Sequence, residues 1–300
     1  MSNFPFKGVG VAIVTPFKED HNIDFDSLEN LTHTIIEGGA DYIVALGTTG
    51  ESPTLSRKEK QDICKTVVNV CEGKIPIVIG IGSNDTSKVC KRISEADLTN
   101  IAAILSVVPY YNKPSQEGIY RHFEEIAKIS PLPLILYNIP GRTGVNMQAE
   151  TTIRLARDFK NISAIKEASG NFQQIKEIIN NKPTGFEVIS GDDAMTVSIM
   201  EMGACGVISV TANLYPSAIG KLTDLCRHGK NNEYLKLNSE LTRLYTLLFA
   251  EGNPAGIKCA LSLKNLIKNE LRLPLTPVSK TLEKEIATEI ERLDALLQEL

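Results

Sequence analysis

The strongest constraint in this sequence is a run of apolar residues that recurs along most of its length. Eight short runs rich in Val and Ile are spaced by about 20 to 35 residues, the length of one strand–helix unit. Within each run the apolar residues are continuous rather than alternating, which is typical of strands buried on both faces of a parallel sheet. The runs predict eight strands, at 10–15, 42–46, 76–81, 102–108, 133–137, 162–166, 186–190 and 206–210.

The intervals between the runs have the pattern of amphipathic helices. Ser56 followed by Glu59 forms a capping box, which is a signal for the beginning of a helix. Ile63 and Val67 follow at helical spacing, and Gly73 is placed to cap the end of the same helix. Helices between consecutive strands are the usual connections of a parallel sheet.

Eight strand–helix units in order predict an α/β fold, the closed (β/α)₈ or TIM barrel. An open, doubly wound sheet is the alternative. It would usually show a Gly-x-Gly-x-x-Gly turn after its first strand, and that turn is missing here. After about Cys226 no further strand is evident, and the remaining sequence has helical periodicity. We therefore expect a barrel over 1–226 and a C-terminal helical appendage over 227–300.

The composition excludes several classes of protein. The 300 residues are 42% hydrophobic with a net charge of −4, which is too apolar and too weakly charged for a disordered chain. The slightly acidic balance argues against nucleic acid as a partner, and no uncharged run is apolar enough to span a membrane. The first residues lack a secretory signal, and none of the six cysteines forms a Cys-x-x-Cys pair. We expect a cytoplasmic protein with free thiols.

The active site of such a barrel lies at the carboxyl ends of its strands, and Lys166 ends the sixth run. A lysine in an apolar strand is costly unless it is neutral or paired. Burial lowers the pKa of a lysine, and the neutral amine is the form that attacks a ketone to give a Schiff base. Tyr137 ends the neighbouring run and could relay protons to that site. The alternatives are a lysine that reaches solvent or pairs with Glu167, and a tyrosine that packs against a helix.

Three other strand ends also carry polar residues. Thr48 and Thr49 follow the second run and offer donors to a carboxylate, although they could simply form a turn with the glycines beside them. Arg142 follows the fifth run and could bind a carboxylate with two hydrogen bonds, or remain an exposed loop charge. Asp192 and Asp193 follow the seventh run, and no third metal ligand is evident near them. We therefore expect this pair to cap the helix after that strand.

Three motifs, in this order and each at a strand end, resemble those of the pyruvate-dependent class I aldolase superfamily. They are Gly-Thr-Thr-Gly-Glu at 47–51, Tyr-Asn-Ile-Pro-Gly-Arg-Thr at 137–143 and Ile-Lys-Glu-Ala-Ser-Gly at 165–170. Within that superfamily the chain is similar to the dihydrodipicolinate synthase family, over essentially its whole length from Gly8 to the segment 253–258. The resemblance implies an enzyme of lysine and diaminopimelate biosynthesis that condenses pyruvate with aspartate semialdehyde and needs no metal or organic cofactor.

The resemblance also implies roles for individual residues. Lys166 would form the Schiff base with pyruvate, and Tyr137 would relay protons. Thr48 would link Tyr137 to Tyr111, which would reach in from a neighbouring subunit of a homotetramer built from two tight dimers. Thr49 would hold the pyruvate carboxylate, and Arg142 would hold the carboxylate of aspartate semialdehyde. Gly191 and Ile208 would border the site through their backbone groups.

The sequence leaves two other functions open. The N-acetylneuraminate lyases have a similar barrel, lysine and tyrosine, but as a family they lack the arginine at the position of Arg142. A charged clamp suits a short amino-acid aldehyde better than a sugar. The other alternative is a non-catalytic barrel that senses a keto acid, although the presence of Lys166, Tyr137 and Thr48 together favours an enzyme.

A last set of positions matches the cleft in which regulated relatives bind lysine. Those relatives commonly have histidines at the positions of Arg57 and Lys60 and an acid at that of Lys88. Lysine carries two ammonium groups, so three cations should repel it, and we expect weak or absent inhibition by lysine. The matching residues are Ser52, Leu55, Arg57, Lys60, Asn84, Lys88 and Tyr110.

Overall fold

The computed structural model describes residues 5–297 and confirms the predicted barrel. Eight parallel strands pair in chain order, and the last strand pairs with the first to close the sheet. All eight carboxyl ends therefore lie at one rim, where the active sites of such barrels are found. The strands are β1 (Gly8–Ala12), β2 (Tyr42–Ala45), β3 (Ile77–Gly80), β4 (Ala103–Val107), β5 (Leu134–Asn138), β6 (Ile162–Glu167), β7 (Glu187–Ser190) and β8 (Gly206–Ser209).

Helices connect consecutive strands on the outside of the barrel, and further helices follow the last strand. Helices α10 to α12 pack against one another, and α10 also packs against α9. They are the predicted helical appendage, while its division from the barrel at 226/227 stays a prediction. The helices are α1 (Phe25–Glu37), α2 (Arg57–Cys71), α3 (Thr86–Glu95), α4 (Gln116–Ile129), α5 (Pro140–Thr143), α6 (Ala149–Asp158), α7 (Phe172–Asn181), α8 (Thr196–Glu201), α9 (Pro216–Arg227), α10 (Asn231–Phe249), α11 (Ala255–Leu263) and α12 (Lys280–Leu297).

The first strand begins two residues and ends three residues earlier than predicted, whereas the other seven agree with prediction to within one residue at each end. After β1 the backbone leaves the ladder, because the N–H of Val14 donates to the Asn213 side chain at 3.1 Å. The hydroxyl of Thr15 likewise donates to the carbonyl of Gly50 at 2.7 Å. At the amino end of β1, Gly8 pairs with β8. Glycine is uncommon in strands, so the sequence did not indicate that the strand begins there.

Helix α2 has the predicted capping box, in which Ser56 and Glu59 each bond the other's backbone N–H through their side chains. The helix stops at Cys71, and the cap is Glu72, which adopts a left-handed conformation with φ at 47°. Gly73 is also left-handed, with φ at 75°, so the glycine marks the turn without being the cap itself.

Two apolar layers hold the barrel together and leave its carboxyl rim to polar side chains. Inside the barrel, Phe6 packs edge-to-face on Tyr42, with ring centroids 5.4 Å apart, near the amino ends of the strands. Gly10 is required beside them, because a Cβ there would lie 2.2 Å from the Tyr42 ring. A larger layer between strands and helices continues into α10, α11 and α12.

Two further observations bear on the class of protein. Among the helices of residues 5–297, none is long and apolar enough to cross a membrane. All six cysteines are free thiols, as the sequence predicts.

Candidate active site

Lys166 lies at the carboxyl end of β6, where its neighbours in the sheet enclose it. Only 6% of the residue is exposed, although lysines are rarely buried. Burial lowers the pKa of Lys166 to about 8, an effect that the Asp193 carboxylate opposes and the Arg142 guanidinium reinforces. At pH 7 an amine with this pKa is neutral in roughly a tenth of the molecules, whereas an ordinary lysine is neutral in fewer than about one in a thousand.

The structure does not support the alternative in which Lys166 pairs with Glu167. The Glu167 carboxylate accepts hydrogen bonds from Asn138, Ser169 and Gln174, at 2.8 to 3.2 Å. Among residues 5–297, no carboxylate forms an ion pair with Lys166 within 4.0 Å. The amine of Lys166 is therefore buried without a described carboxylate in direct contact, and Asp193 acts on it only at longer range.

Tyr137 is the neighbour of Lys166 across the β5–β6 ladder, in the same register. The Nζ atom of Lys166 lies 4.6 Å from the centroid of the Tyr137 ring. Burial raises the pKa of Tyr137, and this is opposed by a hydrogen bond with Thr48 and by the charge of Arg142. The alternative of a tyrosine packed against an outer helix is thus wrong, since the ring belongs to the apolar interior of the barrel.

Thr49 and Arg142 are joined by a residue that the sequence did not single out. The Nδ2 of Asn253 donates to Thr49 Oγ1 at 3.0 Å, and its backbone carbonyl accepts from Arg142 Nη2 at 3.2 Å. Asn253 lies just before α11, so the helical appendage contributes directly to the rim of the barrel. Its only sequence signal was its place at the far end of the family resemblance.

Gly191 and Ile208 complete the surroundings of Lys166. A Cβ at Gly191 would lie 2.7 Å from the Cβ of Ala168 and 3.1 Å from the Cε of Lys166, so a larger residue would displace the lysine. Ile208 is buried inside the barrel on β8. Tyr111, in contrast, is 84% exposed, and a single chain does not bring it into this cluster.

The expectation for the two aspartates after β7 was wrong for Asp193, whereas the Asp192 carboxylate accepts from backbone N–H groups just before α8, that of Ala194 at 2.9 Å. The Oδ2 atom of Asp193 accepts from the N–H groups of Val210 and Thr211 and from the Thr211 hydroxyl, at 2.7 to 3.1 Å. It therefore caps the short turn after β8 rather than the helix after β7. Helix α8 begins only at Thr196, too far along the chain for Asp193 to be its N-cap.

A second buried lysine, Lys258, contacts the residue that follows the Gly-Thr-Thr-Gly turn, and the sequence pattern did not predict this contact. The Nζ of Lys258 lies 2.5 Å from Oε1 of Glu51, and neither side chain is exposed. Lys258 also donates to the carbonyl of Glu270 at 2.9 Å, and the N–H of Arg272 donates to Glu51 Oε2 at 3.1 Å. Burial lowers the pKa of Lys258 to about 8 against the attraction of Glu51. The pair fixes α11 to the residue that follows the Gly-Thr-Thr-Gly turn.

The residues matched to a regulatory cleft are only partly brought together. Five of them, Ser52, Leu55, Arg57, Lys60 and Lys88, line one surface cavity of ≈ 770 Å³. Asn84 and Tyr110 do not line that cavity.

These features define a class of protein. An eight-stranded barrel with a buried lysine of lowered pKa at the end of β6, beside a tyrosine and a threonine, has the site of a lysine-dependent, class I aldolase-type enzyme. The chain belongs to the dihydrodipicolinate synthetase family, whose model matches residues 5–293.

Individual relatives agree with this assignment over nearly the full chain. A 4-hydroxy-tetrahydrodipicolinate synthase of Phocaeicola vulgatus is 49% identical over 294 residues, which are 98% of this chain and 97% of the relative. One of Parabacteroides distasonis is 50% identical over 277 residues, or 92% and 93% of the two chains.

Solved structures show the same similarity. A dihydrodipicolinate synthase from Thermotoga maritima superposes with a TM-score of 0.94 at 38% identity, covering 96% of this chain and 99% of that one. A chloride-inhibited dihydrodipicolinate synthase from Acinetobacter baumannii, solved with pyruvate, gives 0.92 at 40% identity, covering 95% and 98%.

Proposed function

We propose that this protein condenses pyruvate with aspartate semialdehyde to give 4-hydroxy-tetrahydrodipicolinate and water, in lysine and diaminopimelate biosynthesis in the cytoplasm. The observation that carries the proposal is the burial of Lys166 next to Tyr137 without an ion-pair partner among residues 5–297. The names of its relatives point to the same reaction. A sensor that only binds a keto acid would not need a lysine with a lowered pKa.

The chemistry follows from a neutral Lys166. Its amine attacks the ketone carbon of pyruvate, and loss of water leaves a Schiff base. The positive charge on that nitrogen lets the methyl group lose a proton, which gives an enamine. The enamine carbon then attacks the aldehyde carbon, and the new alkoxide takes a proton. Finally the amino group of the second substrate attacks the Schiff-base carbon, closes the ring and releases Lys166.

The neighbouring residues have separate roles in this scheme. Tyr137, hydrogen-bonded to Thr48, gives and takes the protons of Schiff-base formation and of the alkoxide. Thr49 holds the pyruvate carboxylate, with its oxygen already accepting from Asn253, so its own hydroxyl proton is free to donate. Arg142 faces solvent at the rim and binds the carboxylate of aspartate semialdehyde.

Borohydride reduction in the presence of pyruvate tests the Schiff base. Reduction of the C=N bond would fix the pyruvate carbons to Lys166, and peptide mass spectrometry would locate them. Lys258 is an internal control, because it is also buried but its amine is held by Glu51. No label at Lys166, or equal labelling of both lysines, would refute the mechanism.

The choice of aldehyde is tested by a pair of assays. We expect turnover with pyruvate plus aspartate semialdehyde and none with pyruvate plus a sugar aldehyde. The reverse result would assign the protein to the sugar-acid lyases. Arg142→Ala should raise the KM for aspartate semialdehyde and leave the KM for pyruvate nearly unchanged, since Thr49 holds the pyruvate.

We also propose a homotetramer of two tight dimers in which Tyr111 completes the site of a neighbouring subunit. Its 84% exposure in one chain supports this, because a neighbour would cover the ring. Mixing Lys166→Ala chains with Tyr111→Phe chains is the test. A shared interface would give hybrid dimers with one intact site and so restore activity, whereas a Tyr111 that acts within its own chain would restore none.

Inhibition by lysine should be weak or absent. Arg57, Lys60 and Lys88 line the same cavity, and lysine would bring two further positive groups to it. Half-inhibition at sub-millimolar lysine would contradict this proposal without affecting the catalytic one.

A further inference from the structure

The surface cavity that contains five of the residues matched to a regulatory cleft is a groove on the outside of the barrel, and the proposed reaction does not use it. We call it the α2–α3 groove. It is lined by α2, by α3 and by the segments 79–82 and 97–101, and its volume of ≈ 770 Å³ is that of a small-molecule site. Helix α3 packs closely on α4, and α2 on α1, but α2 and α3 pack little on each other. The groove is the resulting gap above the end of β3.

The charges in this groove are opposite in sign to those of the whole chain. The lining contains six cations and two carboxylates, whereas the complete sequence has a net charge of −4. A concave surface with one sign of charge concentrates ligands of the other sign. The lining cations are Arg57, Lys60, Lys65, Lys88, Lys91 and Arg92.

The carboxylates in the groove do not neutralise its centre. Glu95 pairs with Arg57 at 2.9 Å and lies 3.9 Å from Lys91. Asp97 accepts a hydrogen bond from the backbone N–H of Thr99 at 3.1 Å. Both acids are therefore engaged at one end of α3.

Among residues 5–297, Lys60 on α2 and Arg92 on α3 are two cations of the groove that no carboxylate contacts directly. Within residues 5–297, neither forms an ion pair with a carboxylate, and Arg92 donates only to the carbonyl of Gly82, at 3.2 Å. Lys60 is half-buried, and its pKa is lowered by burial and by the positive charge of Arg92, against the attraction of Glu59, which is itself paired with Arg272. Two like charges that are close enough to affect each other, one of them partly desolvated, favour an anion between them.

We propose that the α2–α3 groove binds a small multivalent anion, either a phosphate ester or a polycarboxylate, between Lys60 and Arg92. An arginine can hold two oxygens of such a group at once, and a lysine adds a point charge. The groove is also lined by Leu46 and Ser52, which lie on either side of the Thr48–Thr49 segment. The groove therefore extends to the back of the segment that carries Thr48 and Thr49.

Isothermal titration calorimetry on the full-length protein in low-salt buffer tests this site. Inorganic pyrophosphate and citrate are the two probes, and they distinguish phosphate from carboxylate ligands. We expect saturable binding of at least one probe at one site per chain, and no binding of L-lysine. Replacing both cations, in Lys60→Gln/Arg92→Gln, should weaken the binding by about tenfold or more.

The matched control is Lys160→Gln/Lys176→Gln, which removes the same charge from exposed positions on other parts of the barrel. It should change the affinity by less than about twofold, because exposed charges far from a site are screened. Equal weakening in both double variants would mean non-specific attraction, and unchanged binding in Lys60→Gln/Arg92→Gln would mean that the anion binds elsewhere. Either result overturns the proposal, and neither bears on Schiff-base formation at Lys166.

Discussion

Lys166 and Lys258 are both buried, and burial lowers the pKa of each to about 8. Their partners differ. Lys258 is held by Glu51 at 2.5 Å and by the carbonyl of Glu270, whereas no residue in 5–297 forms an ion pair with Lys166. A lowered pKa alone therefore does not identify a catalytic lysine. A reactive amine also has to be free of a buried counter-ion and close to a proton relay.

The largest effect should follow from Lys166→Ala. The variant removes the nucleophile itself, so we expect kcat to fall by roughly 10⁴-fold or more. Because no ion pair is broken, its urea midpoint should stay close to that of the parent protein. Lys258→Ala should give the opposite pattern, with borohydride labelling of Lys166 retained but stability reduced. Normal turnover in Lys166→Ala would contradict the proposal that Lys166 is the catalytic lysine and Lys258 the structural one.

The second-largest effect should be a loss of stability, which we expect on substitution of Lys258 but not of an exposed lysine. Lys258→Met leaves the Glu51 carboxylate buried without its counter-charge, which we expect to lower the free energy of unfolding by about 3–5 kcal/mol. The double variant Glu51→Gln/Lys258→Met should recover most of that loss, since no charge is then left unpaired. Lys176→Met, an exposed substitution of the same kind, should change stability by less than about 0.5 kcal/mol. Urea titration at one protein concentration measures all three, and a double variant no more stable than Lys258→Met would contradict the ion-pair account.

A smaller effect should follow at Asn253, where the helical appendage meets the rim of the barrel. Asn253→Ala removes the hydrogen bond to Thr49 but keeps the backbone carbonyl that binds Arg142. Loss of one such bond is worth about 1 kcal/mol, so the KM for pyruvate should rise about fivefold to tenfold. The KM for aspartate semialdehyde should change little. Steady-state kinetics with each substrate varied in turn would show this, and an equal rise in both constants would indicate a general loss of order instead.

The contrast between residues at strand ends and residues brought together from distant parts of the chain also explains what could be predicted from the sequence. The eight strands are continuous apolar runs; Lys166 and Tyr137 end two of them, and Thr48 and Thr49 closely follow a third. Their position along the chain was enough to make them candidates, and the motif resemblance supplied their expected roles. The Glu51–Lys258 pair joins residues that are far apart in sequence, and only the packing of α11 against the rim brings them together. Asn253 carries no motif of its own for the same reason. Asp193 was assigned to the nearest helix, because its partners Val210 and Thr211 are distant in sequence.

The smallest expected effect is a shift in pH dependence. The neutral amine is the nucleophile, so kcat/KM for pyruvate should rise with pH up to the pKa of Lys166, about 8, and then level off. The Asp193 carboxylate stabilises the protonated amine, and Asp193→Asn should therefore move this limb to lower pH, by up to about one unit. The amide oxygen of Asn can still accept from the turn after β8, which limits structural damage. Lys258→Met should leave the limb in place, because its amine takes no part in the reaction. If Lys258→Met moved the limb and Asp193→Asn did not, the titrating group would be the paired lysine, and the contrast between the two buried lysines would have to be reversed.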